Sequence, residues 1–285
     1  MYCYKDIDVN NLTTKSKKDI LDKIKNNNIL VFKNQNLTQT QLANFASLFG
    51  EIAWPWGPSP SKITKSKKNL RNKKDPRVCT LSNINENNEL TNTCYVWSAQ
   101  KDSRPRQTNS IFLWHSDKSY ELNPARYTML YAVEVPKING QTQIIDMNLC
   151  YEDLSGKLKQ KYEELFMIHD YAYMRKYLGE SKLTTHERKK ILPVIHPLIN
   201  INPITNKKSI YFGMYCSGVL YKNRDQSKKI IDEIYKFCTK NKYVYNHNWE
   251  IGDILMWNNL YTMHRACNNY DNKYEKRELD RVVIR

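Results

Sequence analysis

His115 and Asp117, two positions apart in "FLWHSDKSY" (112–120), set an imidazole and a carboxylate behind a short apolar run. On a strand, residues i and i+2 point to the same face, so both groups can reach one point in space. Imidazole nitrogen and carboxylate oxygen suit a borderline divalent metal. Two histidines with one carboxylate on one face of the ion leave three positions open, the arrangement of non-haem Fe(II) oxygenases. A lone His-x-Asp is also an ordinary hydrogen-bonded pair, so the metal reading demands a second, distant histidine on a strand able to face the first.

"GDILMWNNLYTMHRA" (252–266) supplies His264, after a β-rich segment and a turn-like Asn258-Asn259. His169, His186, His196 and His247 compete with it, but none lies beside a comparable apolar strand and turn. The plainer alternative for His264 is a half-buried structural histidine. An oxygenase of this type also needs an electron source, and a 2-oxo acid chelating the metal is one. Its far carboxylate would need a guanidinium and a hydroxyl, because an unpaired buried anion is costly. In "KRELDRVVIR" (276–285), Arg277 and Arg281 are four apart on a strand, on one face and about 13 Å apart along the backbone. Long side chains at that spacing can converge on one pocket, although exposed ion-pairing arginines would show the same spacing.

Several elements must position these groups. Residues 16–27 read as an amphipathic helix, "ILVFKNQ" (29–35) as a buried strand, and "TQTQLANFASLFG" (38–50) as a second helix. Thr38 or Thr40 is its candidate cap and Gly50 its stop. Residues 51–77, rich first in Pro and Trp and then in Lys, read as a long basic loop or lid, with a solvated insertion as the alternative. From residue 78, short β-like runs dominate: "VCTLSN", "IFLWHSD", "RYTMLYAVEV", "TQIIDM", "SIYFG", "GDILMWNN" and "LDRVVIR". Helices near 149–166 and 224–240 interrupt them. Many short strands flanked by helices predict a mostly β protein, a double-sheet jelly roll or related barrel, in a single domain over 1–285.

Composition narrows the classes. The 285 residues suffice for a sizeable core, and the low glycine count of 8 argues against a low-complexity chain. Seven cysteines without a CxxC pair cannot close into a complete disulfide framework, which favours a reducing, cytoplasmic setting. No apolar run approaches the ~20 residues that span a bilayer, so no membrane partner is expected. The net charge of +16 favours a polyanionic partner, but Lys and Asn are abundant everywhere and suit an AT-rich coding bias as well.

Taken together, the residues resemble the Fe(II)/2-oxoglutarate-dependent dioxygenases of the taurine dioxygenase family, particularly the branch that includes 2,4-dichlorophenoxyacetate dioxygenase. The resemblance runs in order through "ILVFKNQNLTQTQLANFASLFGEI", "WHSDKSYELNPARYTMLYAVEVPKINGQTQIIDM", "HPLININPITNKKSIYFG", "WEIGDILMWNNLYTMHRA" and "RELDR". It implies a distorted jelly roll, a double-stranded β-helix of cupin type, with iron held by His115, Asp117 and His264. It also implies 2-oxoglutarate bound by Thr142 of "GQT" and Arg277, with Arg281 near its metal-bound end and able to meet an anionic substrate. Trp257-Asn258 stands where the family has Trp-Asp, which removes a charge. The spacing from His264 to Arg277 exceeds the family's commonest one and requires a bulge or longer turn at "NNYDNKYEK".

The chemistry implied uses O2 and 2-oxoglutarate to oxidise an unactivated C–H, by hydroxylation, desaturation or cyclisation, with release of succinate and CO2. A carboxylate at Asp117 leaves no vacant ligand position for a halide and argues against halogenation. Arg281 and the basic chain favour a small carboxylate, amino acid or sulfonate. The lid "WPWGPSPSKITKSKK" and Tyr120 are candidates to close over it, and Tyr171, Tyr173 and Arg175 to wall the pocket. Two alternatives use the same scaffold, a nucleic-acid demethylase and a non-catalytic jelly-roll binding protein. The matched segments resemble the small-molecule branch, and a homo-oligomer is left open.

Overall fold

The computed structural model describes residues 1–53, 75–85, 87–90, 113–178, 182–267, 269–271 and 273–285. Near the N-terminus, Thr13 caps the helix Thr14–Asn26 by accepting from Ser16 N, and Ile20 and Ile24 are its buried face. The helix Gln39–Ala46 opens on a capping box, Thr38 with Gln41, and buries Leu42, Ala43, Phe45 and Ala46. It ends earlier than its periodicity predicts, tightening into a 3-10 turn over Ser47–Phe49 before Gly50.

The strands are β1 (Tyr2–Tyr4), β2 (Ile29–Phe32), β3 (Cys79–Ser82), β4 (Tyr127–Glu134), β5 (Thr142–Asp146), β6 (Phe166–His169), β7 (Val194–Pro197), β8 (Ile199–Ile201), β9 (Lys208–Ile210), β10 (Cys216–Val219), β11 (Val244–His247), β12 (Ile254–Asn258), β13 (Thr262–Ala266) and β14 (Glu278–Ile284). A six-stranded sheet runs in the order β1-β2-β12-β4-β14-β3. Two three-stranded sheets run β11-β5-β13 and β10-β6-β7, and β8 pairs with β9.

Alternation within the six-stranded sheet sends its side chains two ways. Leu30, Phe32, Met129, Tyr131, Met256, Val282 and Ile284 pack against the two N-terminal helices. Val31, Leu130, Leu255, Trp257 and Leu279 face inward and pack against Ile144 of β5 and Trp249. The other side of the smaller sheet, Ile145 and Met263, is covered with help from Ile234, Tyr235 and Cys238 of the helix Arg224–Cys238. Two facing sheets with helices outside form the double-stranded β-helix, and the candidate metal ligands lie between them. Among the described residues no helix is long and apolar enough to cross a membrane.

Three expectations need correction. "IFLWHSD" does not form a regular strand within the described residues: His115 makes a one-residue antiparallel bridge to His264, and the chain then turns over Asp117–Tyr120 with Lys118 at φ +57. It leaves the ladder because Asp117 N donates to the Asn259 side chain and Ser116 Oγ to Thr262 O, in place of regular strand pairing. The single helix expected near 149–166 is two, Met147–Glu152 and Gly156–Glu163, divided where Asp153 ends the first and Ser155 caps the second. "SIYFG" is strand only at Ser209 and Ile210, and beyond them Gly213, at φ +155, brings the chain against the His115 backbone. Most of the basic 51–77 loop, including the proposed lid, lies outside the described residues.

Candidate active site

His115 and His264 sit on different segments, yet their backbones are tied by two hydrogen bonds, His264 N to His115 O at 2.8 Å and His115 N to His264 O at 3.1 Å. This pairing holds the two rings 4.2 Å apart, centre to centre. Behind them Gly213 approaches so closely that a Cβ there would meet the His115 Cα and the Trp114 carbonyl oxygen, each at 3.1 Å. The His115 Nδ1 hydrogen-bonds the Leu113 carbonyl at 2.9 Å, which fixes the ring and aims Nε2 inward.

Asp117 Oδ1 lies 3.6 Å from His115 Nε2 and 3.9 Å from His264 Nε2. The three residues offer ligand atoms that all lie within 4.8 Å of one another, and all three are buried. Among the described residues they are the only such group of His, Cys, Asp or Glu. Burial pulls both imidazoles toward neutrality, assisted at His264 by the neighbouring His115 ring. Burial opposes ionisation of Asp117, but electrostatic attraction to the side chains of His264, Arg281 and His115 and the Thr128 hydrogen bond outweigh it and hold the carboxyl well below its usual range. Two neutral imidazoles and one carboxylate are the protonation states a divalent ion requires.

Arg281, on the inward face of β14, brings Nη1 to 3.9 Å from Asp117 Oδ1. Arg277 precedes the same strand and is only 3% exposed. Its Nε donates to Gly140 O at 3.1 Å, and among the described residues no carboxylate pairs with it. Gly140 leads into Thr142, at the start of β5, whose buried Oγ1 accepts from Trp249 Nε1 at 3.1 Å. β5 pairs with β13 so that Ile144 lies opposite His264, which puts Thr142 two residues along the ladder from a candidate ligand.

Tyr120 ends the turn and packs against Tyr171 at 4.7 Å and Tyr215 at 4.8 Å. Burial raises the Tyr120 and Tyr215 hydroxyls well above the usual phenol range, so both remain neutral donors. Arg175 lies over the outer ring of this group, 5.9 Å from the centre of Tyr171. Tyr173 is placed elsewhere: it is exposed and lines a separate cavity of about 270 Å³ with Tyr177, Arg224 and Tyr235.

Three neighbours of the site escaped sequence reasoning. Thr128 Oγ1 donates to Asp117 Oδ2 at 2.8 Å, Asn259 bridges Thr128 and the Asp117 backbone, and the Tyr215 ring lies 6.3 Å from that of His115. A threonine inside the apolar run "RYTMLYAVEV" was a readable signal, because a fully buried hydroxyl needs a partner. Tyr215 had no comparable signal.

The sequence profile of the family described as "Taurine catabolism dioxygenase TauD, TfdA family" matches residues 5–283. An alpha-ketoglutarate-dependent 2,4-dichlorophenoxyacetate dioxygenase of Cupriavidus pinatubonensis is 30% identical over 256 residues, 90% of this chain and 83% of that protein. Its namesake from a Burkholderia species is 28% identical over 270 residues, 93% of this chain and 84% of that protein. Among solved structures, AAD-2 in complex with Mn(II) and N-oxalylglycine superposes with a TM-score of 0.82 at 26% identity, covering 99% of this chain and 94% of that one.

Proposed function

Since the chain belongs to the TauD/TfdA family and is an Fe(II)- and 2-oxoglutarate-dependent dioxygenase, we propose that it oxidises a C–H bond of a small organic anion at a site built from His115, Asp117 and His264. The observation that carries the assignment is the buried cluster of three ligand atoms within 4.8 Å. Its donor set, two imidazoles and a carboxylate, fits Fe(II) and leaves three positions for co-substrate and O2. When bound there, iron with 2-oxoglutarate supplies oxidative removal of hydrogen from carbon, with succinate and CO2 as by-products.

The remaining roles belong to the chain's own residues. Arg277 receives the far carboxylate of 2-oxoglutarate, and Thr142 donates its hydroxyl proton to the same group. The fit rests on a buried guanidinium with no carboxylate partner among the described residues and on a threonine oxygen already accepting from Trp249. Arg281, beside Asp117, steers the metal-bound end of 2-oxoglutarate and attracts an anionic substrate. Tyr120 and Tyr171 wall the substrate side with neutral aromatic surface, and Arg175 backs them. The relatives' named substrate, 2,4-dichlorophenoxyacetate, is a carboxylate, which supports the anionic class over nucleic acid.

The test is anaerobic addition of Fe(II) and then 2-oxoglutarate to metal-free protein, watched for the weak visible charge-transfer band of the chelated 2-oxo acid. Carboxylates including phenoxyacetates, sulfonates and amino acids, each beside an uncharged analogue, are then screened for a shift of that band. A folded, iron-loaded protein that gives no band defeats the co-substrate assignment. A band shifted only by uncharged ligands defeats the substrate class.

A further inference from the structure

We propose that Thr128 and Asn259 act as positioning residues that restrict Asp117 to offering a single oxygen to the metal. The proposal rests on the metal assignment above and extends it to residues with no other role there.

Trp257 Nε1 and Asp117 N can only donate, and both point at one atom of the Asn259 side chain, at 3.0 Å and 3.3 Å. That atom is therefore the amide oxygen, and the orientation of Asn259 is settled by its partners. The amide nitrogen must then face Thr128, 2.9 Å away, and it too can only donate. Thr128 Oγ1 thus accepts from Asn259, and its one proton goes to Asp117 Oδ2, 2.8 Å away. The relay runs one way, from indole through amide and hydroxyl to carboxylate. Asn259 and Thr128 have no measurable exposure, so water does not compete with either link.

Asp117 Oδ2 is engaged by Thr128, while Oδ1 is the oxygen near His115 Nε2, His264 Nε2 and Arg281 Nη1. A carboxylate free to rotate can bind an ion through both oxygens and take one of the three positions the facial arrangement leaves open. A chelating 2-oxo acid needs two of them, so the third is the one the relay protects.

Mn(II) serves as the probe, with no turnover required. Water-proton relaxation counts exchangeable water on the bound ion, while direct titration gives its affinity. Thr128→Val is expected to lower relaxation per bound Mn(II) by about a third, as three open positions become two, and to change affinity by roughly 10–100-fold. Thr128→Ser, which keeps the hydroxyl, should restore the wild-type values. Asn259→Asp keeps size and leaves Thr128 intact, but a carboxylate accepts the Thr128 proton, so it should reproduce the relaxation loss of Thr128→Val. It also covers the case in which the valine variant fails to fold. Wild-type relaxation in folded Asn259→Asp overturns the proposal, as does an unrestored loss in folded Thr128→Ser. Failure of the wild type to bind Mn(II), or undiminished binding by His115→Ala, overturns the underlying metal assignment instead.

Discussion

Trp249 Nε1 donates to Thr142 Oγ1 across 3.1 Å in a buried pocket. The indole fills one acceptor position of the threonine and leaves its hydroxyl proton to point elsewhere. Thr142→Val should raise KM for 2-oxoglutarate by roughly 10–100-fold, the worth of a hydrogen bond to a charged group, with a smaller change in kcat. Trp249→Phe should shift KM in the same direction but less. Steady-state titration of 2-oxoglutarate checks both; an unchanged KM in Thr142→Val removes the residue from the co-substrate pocket.

Arg277 is buried, and among the described residues its guanidinium donates to the Gly140 carbonyl and to no carboxylate. Arg277→Met should therefore leave thermal stability unchanged or raised while abolishing stabilisation by 2-oxoglutarate. In the wild type that stabilisation should reach about 2.7 kcal/mol at a ligand concentration one hundred times Kd. Melting curves of both proteins with and without the 2-oxo acid and metal decide it; a variant that still responds like the wild type refutes the role.

Removal of the metal should abolish turnover, and Fe(II) should restore it. His115→Ala should keep the fold, as judged by circular dichroism, and lose turnover that added iron does not recover. Because one of the three ligand groups is then gone, the affinity for any divalent ion should fall as well. Turnover at the wild-type rate in the variant would dismantle the metal assignment.

Asp280 lies on the opposite face of β14, accepting from Thr80 at 2.6 Å and Gln39 at 2.9 Å. Burial raises its carboxyl to about 6, against the two hydrogen bonds, with a small further push from Glu278. The folded state therefore binds the proton more tightly than the unfolded state, and this group's stabilisation is full below the unfolded value near 3.8 and lost as pH rises through about 6. Asp280→Asn retains an acceptor for Thr80 and Gln39, and should stabilise the protein at pH 7–8 by on the order of 2 kcal/mol. The gain should shrink toward pH 4. Denaturant unfolding across that range is the measurement, and a gain independent of pH would contradict the cause given.

Residue type made the first half of the site legible before the fold was known. A His-x-Asp pair makes a chemical demand on a distant histidine, and "NNLYTMH" met it. The geometry behind the demand was only partly right. His115 is held by one backbone bridge and Asp117 by a turn, and a one-residue bridge leaves no alternating pattern to read. The strands β4, β12 and β14 were legible because each is an apolar run that buries both faces. Thr128 and Asn259 were passed over for the same reason, as polar letters within or beside apolar runs. Their meaning depends on which strands become neighbours, a fact that local periodicity does not encode.

The paired backbones of His115 and His264 have a bearing on which metal the protein meets in a cell. On the proposed assignment, main-chain hydrogen bonds and the Thr128–Asp117 hydrogen bond hold the ligand groups in place, so little binding energy is diverted into ordering them. Such readiness also makes the site poor at refusing. Copper and zinc bind nitrogen and oxygen donors more tightly than ferrous iron does, and a donor set of two imidazoles and a carboxylate does not reverse that order. With iron at the proposed site, occupancy then depends on supply, and correct loading is expected where free iron is abundant and its stronger competitors are kept scarce.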